Sequence, residues 1–473
     1  MGGGNVKRIA AAALMTVASI SAHAADLPVK APTYKAPVAA IYDWTGFYVG
    51  VNAGLGVGRD LTTINAPPTN FTEISYQSPF GALGGVQAGY NWQAGHWVFG
   101  VEADIQGADL HDNYTCVSSC LPTRAITFDQ RIDWFGTARG RLGYASGPVL
   151  TYVTGGLAYA NVKDTIANTF IPAFGGIALP LTTATAVNQE VRTGYAIGSG
   201  VEASLGGNWT GKIEYLYLDL GSRSTTIGAN TFGFEYREHI FRGGLNYRIG
   251  APDARVAAAA MNWSGFYLGA NGGAGLGRDR SELLFASLPH ITLSSLGFIG
   301  GVQGGYNWQA ANWVFGVEAD IQGSTMRDNK ACVFNCNAVT FAQFDHRLPW
   351  LGTVRGRIGY AAGSNLFYAT AGLAYGEVKT RIFSSFGGAN TVDISNTRAG
   401  WTAGAGIETP FELFGLFGPG WTSKTEYLYV DLGASTTPFT NNGVTTRFAT
   451  GATEHIFRTG LNYHVNQPVV AKY

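Results

Sequence analysis

Taken in steps of two, the segment from Trp97 to Gly107 splits into two unlike faces. One carries Trp97, Phe99, Val101, Ala103 and Ile105; the other carries Val98, Gly100, Glu102, Asp104 and Gln106. Alternation at period two marks a strand whose sides meet different surroundings. The same reading sets Val86, Ala88, Tyr90 and Trp92 against Gln87, Gly89 and Asn91. It also sets Trp134, Gly136, Ala138, Gly140, Leu142 and Tyr144 against Thr137, Arg139 and Arg141. Eight such strands are predicted, near 46–58, 82–93, 97–111, 132–145, 149–163, 191–204, 209–221 and 238–249. The fifth alternates weakly, both its faces being apolar. In the seventh, Leu216 and Leu218 fall on the polar side and Asp219 on the apolar one, so that strand is expected to reach its rim there.

The pattern is then written a second time. GGVQAGYNWQA at 84–94 returns as GGVQGGYNWQA at 300–310, and WVFGVEADIQG at 97–107 returns unchanged at 313–323. Glu214-Tyr215-Leu216-Tyr217 matches Glu426-Tyr427-Leu428-Tyr429, and Glu238-His239-Ile240-Phe241-Arg242 matches Glu454-His455-Ile456-Phe457-Arg458. The spacing from Cys116 to Cys332 equals that from His239 to His455. So long a period is a duplicated domain, since solenoid units run about 20–50 residues.

Within each copy the connections alternate between tight turns, as at Ala94-Gly95-His96 and Ser146-Gly147-Pro148, and long polar stretches. Short turns on one rim and long loops on the other belong to outer-membrane barrels. An even number of antiparallel strands returns both termini to the short-turn, periplasmic rim. The fold class expected is therefore all-β: two tandem eight-stranded transmembrane antiparallel barrels. The alternative is one sixteen-stranded barrel, formed if the eighth strand pairs with the ninth instead of closing on the first. A soluble sandwich fits less well. Trp44, Tyr90, Trp92, Trp97, Trp134, Tyr144, Tyr215 and Tyr217 sit near ends of apolar faces, as interfacial girdles do, while the polar faces carry Gly and charges of both signs.

Composition sharpens this picture. Gly supplies 66 of 473 residues, which disfavours a helical protein at roughly 1 kcal/mol per interior Gly. Charged residues make up 13%, and 31 basic against 31 acidic side chains leave no electrostatic footprint for nucleic acid. At the start, Lys7-Arg8, the apolar run from Ile9 to Ile20 and Ala22-His23-Ala24 form a secretory signal with its cleavage site. The expected organisation is a signal peptide at 1–24, a Pro/Ala-rich leader at 25–42, a first barrel at 43–250 and a linker at 251–261. A second barrel at 262–466 and a tail at 467–473 complete it.

An eight-stranded barrel has an interior just wide enough for side chains to fill it. On that reading the first lumen holds Glu102, Asp104, Glu202 and Glu214 against Arg139, Arg141, Arg192, Lys212 and Arg242, with Arg248 near. The second holds Glu318, Asp320, Glu408 and Glu426 against Arg355, Arg357, Arg398, Lys424 and Arg458. Enclosed charges must pair, so these sets predict an ionic plug. Cys116 with Cys120, and Cys332 with Cys336, read as local disulfides of an exported chain. A zinc site would need more ligands than two thiols, and nearby His111 becomes Arg327 in the second copy. His239 and His455 read as rim residues bonded to water, with haem ligation as the sharper alternative.

WTGFYVGVNAG, GGVQAGYNWQ, VFGVEADIQG, RGRLGY, KIEYLYLDLG and EHIFRGGLNYRI together resemble the alphaproteobacterial outer-membrane immunogenic, porin-like family, once per copy. That resemblance implies an eight-stranded barrel in the cell outer membrane, a structural role in envelope integrity, surface exposure and, in some relatives, haemin binding. Two departures stand out: relatives typically have one barrel, and the final strand ends Tyr463-His464-Val465, an aliphatic where the assembly signal prefers an aromatic. Expected partners are outer-membrane lipid and the barrel-assembly machinery, with haemin as a lesser reading and nucleic acid excluded. No cofactor, metal or catalysis is expected. The function alternatives are a passive porin through a sixteen-stranded pore and a haemin-binding receptor.

Overall fold

The computed structural model describes residues 42–465 apart from the stretches 67–70, 122–123, 171–172, 175–176, 179–181, 228–229, 251–260, 284–290, 335–341, 385–389, 412–416, 418–419 and 442–443. The signal and tail, all of the leader but Tyr42 and all of the linker but Met261 lie outside them. Among the described residues no helix is long and apolar enough to cross a membrane. The first ring of strands is β1 (Gly46–Gly58), β2 (Phe80–Ala94), β3 (Trp97–Leu121), β4 (Arg124–Ser146), β5 (Val149–Phe170), β6 (Thr182–Gly206), β7 (Trp209–Ile227) and β8 (Asn230–Ile249). The second is β9 (Gly265–Gly277), β10 (Leu296–Ala310), β11 (Trp313–Phe334), β12 (Ala342–Ala362), β13 (Asn365–Ser384), β14 (Asn390–Pro410), β15 (Trp421–Asn441) and β16 (Val444–His464).

Each ring closes on itself. Strand β1 pairs with β8 from Phe47↔Ile249 to Gly58↔Glu238, and β9 pairs with β16 from Tyr267↔His464 to Gly277↔Glu454. The chain therefore forms two tandem eight-stranded barrels, and the sixteen-stranded alternative is overturned by those two seams. The outward faces are apolar: Phe47 is 62% exposed, Leu157 68% and Phe298 76%. Aromatic pairs mark the two margins of this band, Trp97 on Tyr144 at the tight-turn end and Trp134 on Tyr159 at the other. From Trp97 to Gly107, whose partner is Trp134, β3 matches the roughly 9–11 tilted residues that cross a bilayer.

Several expectations need correction. The long connections are not loops but continued strands: β3 runs on to Leu121, β5 to Phe170 and β7 to Ile227. Beyond the band, about ten further residues at 3.3 Å each carry β5 roughly 30 Å along its own axis. Between β1 and β2 the chain adds a hairpin of its own (Asp60–Ala66 with Phe71–Gln77), stitched to β8 through Thr231↔Asn65. Trp44 is not a girdle residue. It is 1% exposed, packed with Tyr42, Val98, Leu150 and Tyr152 across the tight-turn end of the lumen. Its indole donates to the Gly147 carbonyl at 3.2 Å.

Tyr215 also leaves the girdle, because the second barrel covers it. The barrels meet along β6, β7 and β8 of one and β14, β15 and β16 of the other, with reciprocal contacts. Tyr215 lies 5.7 Å from Phe457 while Phe241 lies 4.9 Å from Tyr427, ring centroid to centroid. At the outer end Arg59 Nε donates to the Ser294 carbonyl at 3.0 Å, and its counterpart Arg278 Nε donates to the Ser78 carbonyl at 2.7 Å. Equivalent residues exchanging equivalent contacts make the interface isologous, the arrangement of a twofold dimer written into one chain.

Candidate functional site

Cross-strand neighbours build the lumen. Glu102 on β3 faces Arg139 on β4, Glu202 on β6 faces Lys212 on β7, and Glu214 on β7 faces Arg242 on β8. Inward pointing at alternate positions then brings four acids and four bases to one level. Arg139 reaches Glu102 at 2.6 Å, Asp104 at 2.8 Å and Glu214 at 3.2 Å. Arg242 donates from Nε to Glu214 at 2.7 Å and from Nη2 to Asp104 at 2.9 Å. Lys212 holds both oxygens of Glu102 at 3.0 Å, and Arg141 reaches Glu202 at 3.0 Å. Two phenols complete the set: Tyr48 donates to Glu102 and Tyr152 to Glu214, each at 2.9 Å.

The second lumen repeats the network. Arg355 pairs with Glu318, with Asp320 at 3.0 Å and with Glu426 at 3.1 Å. Arg458 reaches Asp320 at 2.8 Å, Lys424 reaches Glu318 at 2.8 Å, and Arg357 reaches Glu408 at 2.9 Å. His464, which has Arg248 in its place in the first copy, adds a ring nitrogen 3.1 Å from Glu408. All these side chains are buried. Charge-assisted bonds among them are about twice as strong as neutral ones, and they offset the several kcal/mol lost per ion on leaving water.

Three basic residues do not join the plug. Arg192 lies toward the outer rim, donating to Glu190, to the Leu220 carbonyl at 3.1 Å and to the Ser222 carbonyl at 2.8 Å. Arg398 bonds the Thr450 carbonyl at 2.8 Å, and Arg248 bonds the Asp43 carbonyl beside Tyr42 and Trp44. Being inward-facing does not fix depth along the barrel. His239 does not sit exposed at a rim: it is buried between the barrels, 2.8 Å from the Tyr215 hydroxyl, and His455 repeats this with Tyr427 at 2.7 Å. Cys336 and the side chains of Cys116, Cys120 and Cys332 lie outside the described residues.

The sequence reading missed an apolar layer above the ions. Leu83, Leu110, Ile132, Phe135, Leu216 and Ile240 are packed there, all buried. Leu216 and Leu218 on the polar side of β7 were its visible signal. Above that layer, past the outer girdle, sit further buried acids. Gln130 and the Arg237 backbone N–H donate to Asp60, whose burial pushes its carboxyl up to about 8. Tyr236 donates to Asp164, which burial raises to about 6 despite that bond.

Closed rings of alternating strands, apolar outside between aromatic margins and ionic within, define a transmembrane β-barrel protein of the outer membrane. The chain belongs to the outer membrane protein beta-barrel domain family, whose model matches it twice, over residues 10–248 and 253–467. It is 37% identical over 258 residues to the 31 kDa outer-membrane immunogenic protein of Brucella melitensis biotype 1, covering 52% of this chain and all of that one. It is 29% identical to the 22 kDa outer membrane protein of Rhizobium leguminosarum bv. viciae, over 46% of this chain and 82% of that one. Among solved structures, Neisserial surface protein A matches 43% of this chain and 98% of its own at 14% identity and a TM-score of 0.22. A Pseudomonas aeruginosa FadL homologue matches 89% and 90% at 9% identity and a TM-score of 0.27.

Proposed function

We propose that this outer-membrane protein is a structural and surface-presenting element of the envelope, whose two lumens are closed to solutes and carry out no catalysis. The observation that carries the reading is the charge-balanced network of Arg139, Arg242, Lys212 and Arg141 on Glu102, Asp104, Glu214 and Glu202, repeated in the second barrel. Trp44 and the apolar layer around Leu110 lie on either side of it. The long continuations of β3, β5 and β7 past the outer girdle supply the surface display that the relatives' immunogenic names describe. Planar-bilayer recording of the refolded chain tests this. Silence apart from brief events is expected, and a large steady conductance overturns it. Insertion by the barrel-assembly machinery belongs to the same reading. Haemin draws no support from His239 and His455, which are buried and bonded to tyrosines.

A further inference from the structure

Two cylinders packed side by side touch along a line and leave a wedge on each flank. Here the line of contact is the Tyr215, Phe241, Tyr427 and Phe457 cluster, and the two wedges are related by the same reciprocity as the contacts. One is a cleft of about 870 Å³ between β1, β7 and β8 of the first barrel and β12, β13 and β14 of the second. The other, of about 480 Å³, lies between β5, β6 and β7 of the first and β9, β10, β15 and β16 of the second.

The larger cleft is built from small outward residues, Ala53, Gly243, Ala369 and Ala405, so its walls stand back from each other. Along β1 it runs from Val51 to Leu55, four steps of 3.3 Å or about 13 Å. A bilayer is crossed by about 9–11 tilted strand residues, so these five span about one leaflet. At one end it meets Trp313 and Tyr360, which pair at the tight-turn margin, so it opens at the periplasmic side of the band and reaches toward mid-membrane. It is continuous with the apolar outer face that already borders lipid. Lys212, Glu214 and Arg242 contribute only backbone to its wall, because their side chains are spent inside the lumen.

We infer that this cleft is a binding site for one acyl chain of a phospholipid from the periplasmic leaflet, held between the barrels as a structural lipid. An empty apolar wedge would forfeit the dispersion contacts of both walls, and a flexible hydrocarbon chain restores them. Water has no polar partners there to replace it.

The test is lipid analysis of the full-length chain extracted from outer membrane and washed extensively in a short-chain detergent. A stoichiometric phospholipid is expected to remain with the wild type and to be lost from the Ala53→Trp/Ala405→Trp variant, which fills the wedge. Ala138→Trp, on a face directed away from the second barrel, is expected to retain it. Heat-modifiable migration in electrophoresis reports folding of each variant, and Gly243→Leu serves as a milder filler if the double variant does not fold. Equal retention by the filled variants, no phospholipid on the wild type, detergent alone in the site or lipopolysaccharide in its place would each overturn the inference.

Discussion

Arg139 touches Glu102, Asp104 and Glu214 at once, so truncating it leaves three buried carboxylates short of a cation. Breaking a buried pair typically costs about 3–5 kcal/mol, and here Arg242 and Lys212 soften the loss without removing it. Arg139→Ala is expected to lower the urea midpoint for unfolding in lipid vesicles by an amount of that order. Arg355→Ala is expected to behave alike, since its partners are the equivalents; a midpoint shift in neither variant would show that the plug contributes nothing to stability. Asp60 supplies a pH dependence of known sign. Its folded-state carboxyl titrates near 8 because burial disfavours the charge, above an unfolded value of about 3.9. Its contribution is therefore complete below pH 4 and is lost as the pH rises through 8. Asp60→Asn is expected to flatten the fall in thermal midpoint between pH 5 and pH 9; an unchanged slope would assign that fall elsewhere.

At the scale of the strand, period-two alternation located every membrane crossing, because lipid on one side and a crowded lumen on the other impose opposite chemistry. Glu102, Arg139, Glu214 and Arg242 were legible as inward-facing for the same reason. Depth was not legible. Arg192, Arg398 and Arg248 share the inward parity of the plug residues but sit at other levels, and parity says nothing of level. Trp44 misled because it precedes β1 and folds back under the lumen. The strand extensions were hidden by composition, since polar strands above the membrane look like loops. Trp44→Ala empties that cap, where large-to-small changes cost about 3–5 kcal/mol. A reduced urea midpoint with the barrel still closed is expected, and no change would mean that the cap carries no stability.

Across the molecule, two self-closed rings and an isologous contact describe a dimer whose subunits are tethered. The contact was beyond the sequence's reach, since Tyr215 and Phe241 face outward like any girdle residue and nothing in their spacing names a partner. Because β1 closes on β8 without help from the second copy, residues 43–250 expressed alone are expected to refold in micelles to a heat-modifiable barrel. Failure to do so would show that closure depends on residues 251–465. The most direct test of the whole account is collisional spin-label accessibility at Phe99, Val101, Ala103 and Ile105, one site at a time, in vesicles with the four cysteines replaced by serine. Oxygen collision at all four sites, with no collision from a water-soluble nickel chelate, is the predicted result. Nickel collision at Val101 or Ala103 would contradict it, because water would then wet the face assigned to hydrocarbon.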